Sequence, residues 1–204
     1  MPLVVVSQNR LSPQQRFEKL ARKMRLKTPK LAKNDCEIRI WNQQGLRFGD
    51  AQMLYVLSKK KKLLSAAKYV INSDEDGFKR AVRLKPTIPI TTDFWEQLLH
   101  RNILTLPDQG SIHDKLFPRP PKDSTWTSVD ADGSVSVHAK RNRNNNVLIS
   151  DGESYYFEVF SVNEYRIYSF SNPELYIRYK PNIAELQNVV AILNELATLF
   201  HSTN

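Results

Sequence analysis

The sequence predicts an α+β fold: a helical, basic N-terminal part followed by an antiparallel β-meander capped by a C-terminal amphipathic helix. Two patterns carry this reading. Apolar residues in the first half recur at helical spacing behind capping residues. From Thr125 onward they alternate with polar residues at period two, until a last apolar helical stripe closes the chain. The expected organisation is a basic, mainly helical region over 1–104, a proline-containing linker or long loop over 105–124, and a meander plus helix over 125–204.

Taken in order, Val4-Val5-Val6 suits a short edge strand in an extended lead-in. Ser12, Pro13 and Gln15 then spell a helix start: a capping hydroxyl, a proline whose missing N–H costs nothing at the first position, and a glutamine three residues on. Phe17, Leu20, Ala21 and Met24 form one face of that helix, and Thr28-Pro29 should stop it. Glu37 to Trp41 alternates as a strand. Asp50 can cap a second helix from about Ala51, because Met53, Leu54, Leu57, Leu64, Ala67 and Ile71 keep a rough helical period, which Lys59–Lys62 interrupts, giving one helix or two. Phe78 to Leu84 fits helix or strand equally.

Asp93 and Glu96 open another helix through about Leu104. Pro107, Pro118, Pro120 and Pro121 then make 105–124 loop-like. Asp130-Ala131-Asp132-Gly133 is a hairpin turn between Thr125–Val129 and Ser134–Ala139. Val147–Ile149, Ser154–Ser161, Tyr165–Ser171 and Leu175–Lys180 continue as short strands. Asn182 and Glu185 start the last helix, whose Leu186, Val189, Leu193 and Leu196 need a partner surface.

Charge distribution points to a function. The net charge is +9, but residues 1–90 carry +13 and residues 91–204 carry −4. A polarised chain presents a directed field that draws anions to one end. Arg10, Arg16, Lys19, Arg22, Lys23, Arg25, Lys27, Lys30 and Lys33 face a single acid, Glu18, over their span. Solvated helix faces normally alternate sign, and this one does not. Closely spaced cations can neutralise several phosphates and release condensed counterions. Lys59, Lys60, Lys61 and Lys62 form a second cluster, a localisation signal, a further phosphate contact or plain solvated surface.

The expected function is therefore non-enzymatic binding of nucleic acid, DNA or RNA, through the phosphate backbone. With about five phosphates engaged, affinity would fall with salt at a log–log slope of roughly −4 to −5. One alternative is a structural, assembly or adaptor protein, self-associating or meeting a protein partner through its C-terminal half, with the basic end against an acidic protein or an anionic membrane surface. The other is a metal-dependent nuclease using Asp130, Asp132, Glu158 and Lys140, although Glu158 lacks the lysine two residues on that such sites carry. Asp130 and Asp132 are explained more simply as turn residues.

Several classes find no support in the residues. His100, His113, His138 and His201 lack metal-ligand spacing, and Cys36 has no second thiol, so neither a metal nor a cofactor is expected. Glycine-rich phosphate loops and nucleophile-elbow motifs are absent, and no apolar run reaches the roughly 20 residues of a spanning helix. One cysteine and no Asn-x-Ser/Thr acceptor favour the cytoplasm or nucleus. The aromatics between Tyr155 and Tyr179 read as core or a protein-interface face in the acidic half rather than as a base-stacking platform. Arg141 to Asn146 is a polar loop.

Overall fold

The computed structural model describes residues 11–119, 124–140, 149 and 152–201. The Val4–Val6 strand, Arg10, the loop from Arg141 to Asn146, and Val147 with Leu148 therefore lie outside the described residues. The architecture is α+β with a C-terminal helix, as the sequence predicts. Its centre is a six-stranded antiparallel sheet in the order β4-β3-β2-β1-β7-β8. These strands span β1 Cys36–Gln44, β2 Met53–Lys60, β3 Leu63–Asp74, β4 Gly77–Leu84, β7 Glu153–Phe160 and β8 Tyr165–Ser171. A separate hairpin holds β5 Ser124–Val129 and β6 Val135–Lys140.

The helix expected from Ala51 to Ile71 is instead the hairpin β2–β3. Leu54 faces one side of the sheet while Tyr55 and Leu57 lie in the core on the other. A strand buried on both faces reads as a continuous apolar run, and such a run also matches a helical period by accident. The turn is made of lysines rather than Gly or Asn. Lys61 takes a left-handed φ of 56°, and the Asp35 carboxylate pins it by accepting the Lys61 N–H at 2.7 Å.

Helix α1, Pro13–Lys23, covers one face of the sheet. Its capping box is formed as expected, with Gln15 N–H donating to Ser12 Oγ at 3.3 Å and Ser12 N–H donating to Gln15 Oε1 at 3.0 Å. Phe17 stacks on Trp41 of β1 at 5.0 Å, and Leu20 and Ala21 complete the contact with Leu54 and Ile71. The opposite face carries the larger core. There α2 Thr92–His100 supplies Trp95 and Leu98, and α5 Ala184–Leu199 supplies Leu186, Val189, Leu193 and Leu196. They pack on Ile38, Ile40, Leu57, Phe157, Tyr168 and Phe170. The α2 cap is Thr91 rather than Asp93, and α5 begins at Ala184 without a side-chain cap.

Segment 105–119 is not empty of structure. Leu106 lies in the core, as do Ile112 from a 3₁₀ turn at Gln109–Ile112 and Leu116 from α3 His113–Leu116. Asp108 reaches the outer edge of β8, where it accepts Ser169 N–H at 2.8 Å and Ser169 Oγ at 2.9 Å. The strand expected at Leu175–Lys180 is a helix, α4 Pro173–Tyr179. Asn172 in a left-handed conformation turns the chain, and Pro173 starts the helix. Among the described residues no helix is long and apolar enough to cross a membrane.

Candidate nucleic-acid interface

Helical spacing decides which of the basic residues act together. Arg16, Lys19 and Lys23 stand three and four residues apart, so they form one stripe beside the buried Phe17 and Leu20. That stripe borders a groove of about 500 Å³. Its far wall is Gly49 and Asp50 before β2, then Ser73, Gly77 and Phe78 of the β3–β4 hairpin. Gly49, at φ +89°, leaves no room for a side chain, since a Cβ there would fall 2.5 Å from Ser73 Oγ.

The three cations are not equivalent. Arg16 is anchored: its Nη1 lies 3.8 Å from Asp50 Oδ1 and 3.5 Å from Gln43 Oε1, and its guanidinium sits 5.7 Å from the Tyr156 ring centre. It holds α1 against the sheet while keeping its charge at the groove. Lys19 and Lys23 are exposed and make no ion pair among the described residues. Their ammonium groups are therefore available to an anion seated in the groove.

The remaining expected contacts are scattered. Arg22 points to the other side of α1 and pairs with Glu18 at 3.0 Å. Arg25 follows the helix in a left-handed conformation, φ 58°, and Leu26 N–H then donates back to the Ala21 carbonyl at 2.9 Å. This is a Schellman-type stop with arginine where glycine is usual. Lys27, Lys30 and Lys33 are exposed on the segment after α1, and the Lys27 carbonyl accepts Arg39 Nη2 at 2.6 Å.

Lys60, Lys61 and Lys62 are exposed at the β2–β3 turn, a strand's length from the groove: β2 has 8 residues, about 26 Å at ~3.3 Å each. Lys59 faces the larger core instead, with its Nζ 5.9 Å from the Trp95 ring centre. Asp35 sits under the turn, and hydrogen bonds from the Lys61 and Ala32 backbone N–H groups hold its carboxyl below the usual range.

The residues of the nuclease alternative are spread over two sheets. Asp130 and Asp132 hold the β5–β6 turn, where Asp132 Oδ1 accepts Ser134 N–H at 2.9 Å. Glu158 is buried in β7, accepting Trp41 Nε1–H at 2.6 Å and Tyr165 O–H at 2.8 Å. Lys140 pairs with Ser124 along the backbone ladder of β6. Among the described residues no three His, Cys, Asp or Glu side chains are grouped to hold a metal ion. His138 stacks on Trp126 at 5.2 Å and shares a 2.8 Å hydrogen bond with Ser128 Oγ. Cys36 is buried, and desolvation pushes its thiol pKa up.

Sequence reasoning missed the groove's far wall. Gly49 precedes the helix expected after Asp50, Ser73 and Gly77 follow it, and no local pattern brings any of the three to α1. Comparison of the chain with protein-family models, with curated proteins and with solved structures gives no match.

Proposed function

We propose that the protein is a non-enzymatic nucleic-acid-binding protein that takes a phosphate backbone into the groove between α1 and the β3–β4 hairpin. The observation that carries this reading is the convergence of Arg16, Lys19 and Lys23 on one groove, with both lysines free of ion pairs among the described residues. Lys60, Lys61 and Lys62 form a second, separate contact point. Contacts of this kind go to phosphate and carry little sequence information.

The test is fluorescence anisotropy with a labelled duplex and a labelled single strand, repeated across a salt titration. Groove binding through three cations is expected to give a log–log slope of about −2 to −3, shallower than the full basic segment would. Lys19→Glu/Lys23→Glu is expected to weaken binding and to flatten the slope by about 2. A response to salt that is already flat in the wild type would end this reading.

A second reading, a protein-partner or assembly role, rests on the β5–β6 hairpin. Val129, Val135 and Val137 share one of its faces and are 70%, 65% and 73% exposed. An exposed β-branched face on a separate two-stranded hairpin suits a protein contact. Light scattering over a concentration series tests it: a constant monomer mass would count against self-association.

A further inference from the structure

On the other side of α1, away from the cation groove, lies a cleft of about 390 Å³ between the helix, β1 and strands β7 and β8. That volume suits a small ligand. Phe17, Ala21, Leu26 and Phe160 give it apolar walls, and Arg39, Glu158 and Tyr165 reach its floor.

The floor holds an imbalance of charge. Arg39 and Glu158 are each 4% exposed and Glu37 is 8% exposed. Arg39 is paired elsewhere, donating from Nε to Glu37 Oε1 at 2.8 Å and from Nη2 to the Lys27 carbonyl at 2.6 Å, and its guanidinium carbon lies 4.8 Å from the Phe160 ring centre. Glu158, directly across from Arg39 in the β1–β7 register, is left with two neutral donors, Trp41 Nε1–H and Tyr165 O–H. Among the described residues no cation makes an ion pair with it. The two charges at the cleft mouth, Glu18 and Arg22, cancel in their own pair.

Among the described residues Arg39 is the one cation beside two buried carboxylates, Glu37 and Glu158, and its ion pair goes to Glu37, so the Glu158 carboxylate is incompletely compensated. Each of its oxygens keeps acceptor capacity beyond the one donor it has. Burial accordingly pushes the Glu158 pKa up, against the smaller downward pull of Trp41, Tyr165 and Arg39. A cation entering the cleft would supply the missing counter-charge, and the Tyr165 ring offers it an aromatic neighbour beside the Phe160 ring that Arg39 already covers.

We propose that this cleft binds a small organic ammonium, a primary amine on an aromatic or branched apolar body, with its ammonium against Glu158 and its body between α1 and Phe160. The site stands apart from polyanion docking, because it lies on the other side of α1 and selects the opposite charge.

Isothermal titration calorimetry on the full chain at neutral pH tests it, using phenethylammonium chloride as the probe. Phenylacetate and phenethyl alcohol serve as the matched anion and neutral molecule. The ammonium is expected to bind at least about tenfold more tightly than either, and Glu158→Gln is expected to abolish that preference. Thr28→Phe, at the exposed rim of the cleft, is expected to weaken ammonium binding by steric block, and it stands as the test should Glu158→Gln not fold. Absence of saturable ammonium binding, equal binding of the alcohol, preference for phenylacetate, or indifference to Thr28→Phe would each overturn the proposal.

Discussion

Glu158 shows what a single residue contributes to both stability and chemistry. Its carboxyl is pushed up chiefly by desolvation, so the folded state holds its proton to higher pH than the unfolded chain does. The sign follows. Its contribution to stability is complete below the unfolded glutamate pKa of about 4.3, and it is lost as pH rises through the folded value. Glu158→Gln cannot ionise, so the stability difference between wild type and variant is expected to shift toward the variant as pH rises from acid to neutral. Urea midpoints of both proteins across that range check this, and parallel profiles would refute it. Arg25 is a second case. It adopts a left-handed conformation that costs an L-residue about 1–2 kcal/mol, so Arg25→Gly is expected to stabilise the fold by about 1 kcal/mol. The same change removes a charge that does not line the groove, so the proposed nucleic-acid binding should change little.

At the scale of elements, α1 is held by few residues. Phe17 is fully buried, stacked on Trp41 and part of the wall of the apolar cleft. Phe17→Ala is expected to cost about 3–5 kcal/mol in chemical denaturation, with loss of both proposed binding activities as α1 undocks. The sheet edges differ in kind. Asp108 and Gln109 cap β8 by accepting Ser169 and Ser171 N–H, at 2.8 Å and 2.6 Å, whereas β4 ends the sheet on its other side with exposed Lys79, Arg80 and Arg83. Edge cations discourage strand addition by another chain. The β5–β6 hairpin is a two-stranded sheet of its own, and such hairpins are marginal in water. Its amides are expected to exchange with solvent far faster than those of β1 and β2 in hydrogen-exchange measurements.

For the whole molecule, the central fact is the position of β1. It pairs with β2 from the first half of the chain and with β7 from the second. Removing either set would expose the strand that both share, so tryptophan fluorescence and far-UV circular dichroism are expected to report one coincident unfolding transition. Charge is also decided at this scale. The first half of the chain is dense in cations, but folding divides them between the groove stripe, the turn at Lys60–Lys62 and cations already paired, such as Arg22. The salt dependence of binding therefore reports how many cations face one ligand rather than how many the chain contains.

Local chemistry determined the α+β class, the capping box of α1, the β5–β6 turn and the apolar stripe of α5, because each rests on neighbours within a few residues. Local chemistry also showed that the cations gather toward the N-terminal half. It misread Ala51–Ile71, where a strand buried on both faces imitates a helix, and Leu175–Lys180, where Pro173 opens a helix behind a left-handed asparagine. Only the tertiary structure decided which cations share a groove and that Glu158 lies buried beside Trp41, 117 residues away in sequence. The physical reason is that burial and convergence are properties of the packed sheet: strand register sets which side chains meet, and no single segment encodes the register of its partner.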